Sequence, residues 1–350
     1  MMLDGAEECQ LSGPIGELVP YTTAEAVKGR WTLLPMGLPS HNRVFEVFQP
    51  SGDNRRGHTR TSRLAGLFAV GAISLPFLAS TTSAIAASPI TSPQPSSSQS
   101  SPCSSRTSAD PSGIPMPATS PAGWKLIFSD NFTKNVAAGS WPGSAYGAKW
   151  TAYGPGWKDT SGAGTYETKN ISVADSCLTL HLATVGGVIE VAAPIPLLPG
   201  SDPSKGVWAG QKYGMYSVCF KADAGLRGFK TAWLLWTDSN IWADGEIDFP
   251  EGDLGATING YVHNISGDPS KTVLAVSTDD TYLTWHVATI KWTAAGVTFI
   301  LDGKVIGSST VSPSVPMHWV IQTETDGGAP DPLVAGNVYI DWAAIYAPAS

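Results

Sequence analysis

From Gly123 to the end the chain carries no apolar repeat of helical period over ten or more residues, whereas short runs rich in β-branched and aromatic residues recur between Gly, Pro, Asn and Asp turns. The runs are Trp124–Phe128, Leu178–Ala183, Gly214–Ala222, Gly228–Trp236, Glu246–Glu251, Ile258–His263, Trp285–Trp292, Val297–Leu301, Met317–Thr323 and Val338–Tyr346. Asp302-Gly303 separates Val297–Leu301 from Lys304–Gly307, a composition suited to a tight hairpin turn. About a dozen strands in one unit of ~230 residues predict an all-β, antiparallel sandwich.

Upstream of these strands the composition changes. Residues 88–122 are dominated by Ser, Pro and Thr. Such a segment cannot bury a core and reads as an extended linker or wall-spanning stalk, open to O-glycosylation. Residues 55–87 read as an export signal: Arg55, Arg56, Arg60 and Arg63 precede the uncharged stretch Leu64–Leu78, and Ala84-Ile85-Ala86 supplies a small-x-small cleavage pattern. The stretch is broken by Pro76 and is shorter than the about 20 residues a spanning helix needs, so an uncleaved anchor is the lesser reading. Arg55-Arg56 hints at a twin-arginine signal, which the following Gly-His-Thr fits poorly. Residues 1–54 then read as an extension in front of the true start, with Met36 one candidate for that start. The folded domain is expected to span residues 123–350, and the mature protein to be secreted or held at the cell wall.

The formal net charge is −8, and no basic stripe is available to neutralise phosphates, which excludes nucleic acid as the partner. Twelve of the 13 Trp fall between Trp124 and Trp342. Some belong to a core, but indoles in an acidic, Gly-rich domain also suit stacking on sugar rings. The 4 Cys are too few for a disulfide scaffold, and no spacing resembles a zinc site. Cys177 and Cys219 lie in two strand-like runs; they bridge if those strands are neighbours and remain two buried thiols if not, with Cys103 left over.

Three carboxylates crowd the segment Glu246-Ile247-Asp248-Phe249-Pro250-Glu251. In a regular strand Glu246 and Asp248 share a face and Glu251 points the opposite way. One surplus residue returns Glu251 to the first face, and Pro250 stands where such a β-bulge is tolerated. Like charges so close push one pKa up while a neighbour stays low, leaving one carboxylate able to attack and one carboxylic acid able to donate. Retaining glycoside hydrolysis uses such a pair. A solvated strand face and a calcium site are the competing readings of the motif alone.

Further residues extend the pattern in order: Gly123-Trp124-Lys125-Leu126-Ile127-Phe128-Ser129-Asp130-Asn131-Phe132, Tyr213-Gly214-Met215-Tyr216, Ala232-Trp233-Leu234-Leu235, Trp242-Ala243-Asp244-Gly245 leading into the acids, then His263, Trp285-His286, Trp292, Asp302-Gly303, Asp341-Trp342 and Tyr346. Over roughly residues 123–348 this series resembles glycoside hydrolase family 16, the laminarinase-like retaining endo-β-glucanases. The resemblance implies a concanavalin-like jelly roll of two antiparallel sheets with a concave substrate cleft. It implies Glu246 as nucleophile, Glu251 as general acid and then base, and Asp248 as the acid that shares a proton with the nucleophile. It also implies His263, Trp233 and Trp242 as substrate-binding residues, and leaves His286 to the sheet.

The chain departs from the family at Phe229-Lys230-Thr231-Ala232-Trp233, where relatives often read Trp-Pro-Ala-Phe-Trp, and at Phe249-Pro250 inside the motif. Trp319–Thr325 also departs, and Gln322 and Glu324 are expected to border the cleft. These departures bear on which sugar is taken. The expected function is hydrolysis of a β-linked polysaccharide, β-1,3-glucan first, by a monomer without cofactor or membrane insertion. A structural calcium held by Asp341 and backbone carbonyls is the single ion the resemblance admits. Transglycosylation, hydrolysis of a galactan or mixed-linkage glucan, and a lectin-like binding module are the alternatives.

Overall fold

The structure, a computed structural model, describes residue 103, residues 110–263 and residues 272–349. The export signal at 55–87, the extension at 1–54 and most of the 88–122 linker lie outside the described residues. Seventeen strands follow one another: β1 (Trp124–Asp130), β2 (Trp150–Ala152), β3 (Gly164–Tyr166), β4 (Ile171–Ala174), β5 (Cys177–Val185), β6 (Val188–Val191), β7 (Pro194–Pro196), β8 (Gly214–Ala222), β9 (Phe229–Thr237), β10 (Glu246–Asp253), β11 (Thr257–His263), β12 (Thr272–Thr281), β13 (His286–Thr293), β14 (Gly296–Leu301), β15 (Lys304–Ser309), β16 (Met317–Thr325) and β17 (Gly336–Pro348). Every run expected from sequence coincides with a strand to within a residue or two at its ends. The architecture is the expected all-β, jelly-roll sandwich.

One sheet has ten strands, with the path β15-β14-β13-β8-β17-β5-β6-β3 and with β1 and β4 pairing β17 and β5. The other has five strands in the order β12-β11-β10-β9-β16. The pairings are antiparallel except for β3 with β6. The core lies between the sheets because each strand sends alternate side chains inward. From the five-stranded sheet come Trp233, Leu235, Ile247, Phe249, Ile258 and Val262, all at most 1 % exposed. They meet the larger sheet directly: Trp233 packs edge-on against Phe220 of β8 at 5.0 Å, and Phe249 stacks on Phe299 of β14 at 5.0 Å. Burying such side chains supplies roughly 1.5–3 kcal/mol each relative to exposure.

Two sequence expectations are corrected. Cys177 bonds to Cys103, not to Cys219, which is a buried free thiol. The reason is topological: β17 lies between β5 and β8, so the strands of Cys177 and Cys219 are not neighbours. The packed unit also starts before Gly123. The Ser112 N–H donates to Asp341 Oδ2 at 2.9 Å, and the Trp342 indole N–H donates to the Ile114 carbonyl at 2.8 Å. Ile114 and Met116 pack with Trp342 and Tyr346 on β17.

Candidate active site

Strand β10 carries the three acids, and its register shows how they converge. Asp248 pairs with Leu234 of β9 and Tyr261 of β11, while Glu251 pairs with Ala232 and Asn259. Three steps along β10 therefore match two along each neighbour, so one surplus residue sits at Phe249-Pro250. This is the expected bulge; the Phe249–Pro250 peptide is cis. Ile247 and Phe249 remain anchored in the core, and Glu251 returns to the open face of the sheet with Glu246 and Asp248. Gly260 on β11 makes room for the anchor, since a Cβ there would lie 2.9 Å from the Phe249 ring and 3.1 Å from Phe299. Gly252, directly after Glu251, has φ +139°, a conformation side chains rarely adopt.

The three carboxyls have different surroundings. Glu246 is half-buried and its Oε2 accepts the Trp242 indole N–H at 2.6 Å. Asp248 is 2 % exposed, with Oδ2 lying 3.2 Å from His263 Nε2 at an ion-pair distance but without hydrogen-bond alignment. His263 is stacked on Tyr261, and its Nδ1 lies 3.2 Å from Thr272 Oγ1. Burial, then the charge of Asp248, pushes Glu246 well above the usual carboxylate range. Burial, then the charge of Glu251, does the same to Asp248, against a hydrogen bond with Glu246 that favours its ionised form. Both carboxyls therefore favour their protonated forms, the more so for lying next to each other. Glu251 instead faces a cation: Lys230 Nζ donates to its Oε1 at 3.3 Å.

Lys230 carries no motif that marks it as functional in the sequence. The same holds for Tyr153, Trp157 and Tyr166, which flank the same face. Tyr166 O–H donates to Glu324 Oε1 at 3.0 Å and to Gln322 Oε1 at 3.2 Å; these two β16 side chains, both buried, lie opposite Lys230 and Ala232 of β9. Tyr153 packs against both Tyr166 and the exposed Trp157. Burial, then the charges of Glu324 and Glu246, raises the Tyr153 hydroxyl, which puts it within electrostatic reach of the acids.

Of the residues expected to bind substrate, Trp242 and His263 stand beside the acids and Trp233 does not. Trp233 is 0 % exposed and points between the sheets, because it is one step out of phase with Leu234, the residue that pairs with Asp248. His286 belongs to β13 in the other sheet, with Nδ1 2.7 Å from Asp302 Oδ2.

Asp248, Glu251 and His263 bring potential ligand atoms within 4.8 Å of one another. The Lys230 ammonium, 3.3 Å from Glu251 Oε1, already supplies positive charge there. At Asp341, the residue expected to hold a calcium ion, Oδ2 accepts the Ser112 N–H, the neighbouring Ile114 carbonyl accepts the Trp342 indole N–H, and a second carboxyl, that of Asp110, lies against it; burial raises the Asp341 carboxyl to about 6.

Two antiparallel sheets with three carboxyls brought together on one open face define a β-sandwich with an acidic site. The family described as "Glycosyl hydrolases family 16" matches residues 163–344. The match spans just over half of the chain, which belongs to this family and is a glycoside hydrolase. Among solved structures, SCLam, described as a non-specific endo-β-1,3(4)-glucanase, is 18 % identical with a TM-score of 0.51, covering 67 % of this chain and 95 % of that one. A laminarinase from Flavobacterium sp. UMI-01 is 15 % identical with a TM-score of 0.50, covering 64 % of this chain and 100 % of that one. The GlcNAcα1-4Gal-releasing endo-β-galactosidase of Clostridium perfringens is 18 % identical with a TM-score of 0.50, covering 67 % of this chain and 65 % of that one. At these identities the likeness is one of fold. No curated protein sequence matches the chain.

Proposed function

We propose that this glycoside hydrolase is a secreted, retaining endo-glycosidase that cleaves β-linked polysaccharide, β-1,3-glucan first, by double displacement. The observation that carries the reading is the bulge that brings Glu246, Asp248 and Glu251 to one face, with Glu246 gripped by Trp242. Transfer of the shared proton from Glu246 to Asp248 leaves Glu246 ionised as the nucleophile. Glu251 protonates the departing glycosidic oxygen while a Glu246 oxygen bonds to the anomeric carbon. The Glu251 carboxylate then takes a proton from water as that water attacks the same carbon, the ester to Glu246 breaks, and both residues return to their starting forms. His263 and Trp242 border the sugar that reacts. No organic cofactor enters this chemistry.

The test is a panel of laminarin, lichenan and agarose with the wild type, Glu246→Gln and Glu251→Gln. Each variant is expected to lose at least about 10²–10⁴-fold in rate with an unchanged fold by circular dichroism. Near-wild-type hydrolysis in either variant refutes the assignment. NMR of the first product is expected to show the β-anomer; the α-anomer refutes the double displacement.

Hydrolysis of a galactan is the second reading, prompted by the endo-β-galactosidase among the solved structures of like fold. The agarose arm of the panel separates it. The Cys103–Cys177 bond supports export, because such bridges persist in oxidising compartments. N-terminal sequencing of protein from the medium tests export, and a mature start upstream of Arg55 refutes the proposed signal.

A further inference from the structure

We propose that Lys230 and Glu324 are positioning residues that govern the protonation of Glu251 and so set the alkaline limit of hydrolysis; this rests on Glu251 being the acid/base. Lys230 Nζ lies 3.3 Å from Glu251 Oε1 and 3.4 Å from Glu324 Oε2. The register explains the arrangement: Glu324 of β16 is directly opposite Lys230 of β9, and Glu251 of β10 lies on the other flank of β9. Glu324 cannot turn away. Its side chain is 1 % exposed, and its Oε1 accepts the Thr160 N–H at 3.1 Å and the Tyr166 hydroxyl at 3.0 Å.

Lys230 is therefore one half-buried cation divided between two carboxylates. Its own burial favours the neutral amine, but the charges of Glu324 and then Glu251 outweigh that and raise its pKa, so it stays charged wherever the enzyme works. The other titratable groups around the pair are Glu246 and Asp248 on β10, Tyr261 and His263 on β11, Tyr282 just past β12 and Asp326 just past β16, with Tyr166 of β3 reaching it through Glu324. Asp248 adds negative charge beside Glu251, the tyrosine hydroxyls are held neutral, and Lys230 is the cation in direct contact with Glu251, with a His263 ring nitrogen within 4.8 Å of the same carboxyl.

An ammonium at this distance favours the carboxylate form of Glu251 over the acid. Glu324 competes for the same ammonium and weakens that bias. The two residues thus act on Glu251 with opposite sign. The first chemical step needs the acid form, so loss of that proton closes the alkaline limb of the kcat/KM profile.

The experiment measures kcat/KM against pH for wild type, K230M, E324Q and E251Q on the polysaccharide of the panel hydrolysed fastest. Relative to wild type, the alkaline limb of K230M is expected to move up by about one pH unit, and that of E324Q to move down. Should K230M fail to fold, K230M/E324Q removes both charges, and its limb is expected about one unit above that of E324Q. Coincident limbs, or limbs that move in the same direction, overturn the proposal while E251Q remains inactive. An active E251Q instead overturns the acid/base assignment beneath it.

Discussion

Asp248 sits between the two glutamates and is the most deeply buried of the three acids, and its effect on stability has a definite sign. Burial raises its carboxyl and that of Glu246 above their ordinary range in the folded chain. In the unfolded chain they ionise near the ordinary value of about 4. Between those limits the folded state keeps protons that the unfolded state has lost, so stability is fully present below pH ~4 and falls as pH rises through the raised range. Asp248→Asn removes one of the two acids. Calorimetry is expected to show a flatter dependence of Tm on pH between about 4 and 8, with the variant melting above the wild type at the alkaline end. A slope equal to the wild type's would sink this reading. At this scale the acids are legible, because three carboxylates within six residues of a strand-like run are hard to place on any ordinary solvated edge. The phase of Trp233 is not, because nothing local tells which face of β9 an indole takes; only the pairing of Leu234 with Asp248 fixes it. Lys230 and Glu324 stay hidden in the sequence for a related reason. Their meeting depends on β16 lying next to β9, which spacing along the chain does not reveal.

A strand has a parity, and β10 breaks it once. Phe249 holds the bulge in the core against Phe299, and Gly260 leaves space for its ring. Deleting Pro250 restores regular alternation and turns Glu251 toward the core, where an unpaired carboxylate is strongly disfavoured. The deletion variant is expected either to slip register or to lose Glu251 from the open face, and in both cases hydrolysis falls to the level of Glu251→Gln. Pro250→Ala, which keeps the residue count, is expected to retain far more activity than the deletion. Equal activity in deletion and wild type would show that the surplus residue is not what orients the acid. The bulge is legible because alternation fails at a proline. Strand β12 is not: TVLAVSTDDT is polar and largely exposed along its length, as suits the edge of a sheet, so it lacks the apolar alternation that marks an interior strand. The brief strands β2, β3 and β7, of 3 residues each, are too short to carry a periodicity at all.

For the whole molecule, the Ser/Pro-rich segment ahead of the strands is more than a spacer at its downstream end. Ser112, Ile114 and Met116 lie on the outer face of β17, and Cys103 is bonded to the start of β5. Its composition conceals this, since a few apolar residues among Ser, Thr and Pro do not announce a packed strip. The cysteine pairing is likewise unreadable from the chain, because it depends on β17 separating two strands that are neither adjacent nor remote in sequence. A chain truncated to begin at Gly123 loses the bridge and leaves the Asp341 carboxyl without its Ser112 donor. Its Tm is expected to fall by roughly 5–15 °C relative to one beginning before Cys103, and Cys103→Ser to account for a large part of that fall. Equal melting of all three chains would show the strip to be energetically idle. The bridge has one more consequence. It closes a loop of 74 residues in sequence separation, so a protease that nicks the chain anywhere inside that loop does not free the catalytic sandwich from whatever precedes Cys103. Release then requires a reductant as well as a cut, and the two fragments run as one band on a denaturing gel until thiol is added.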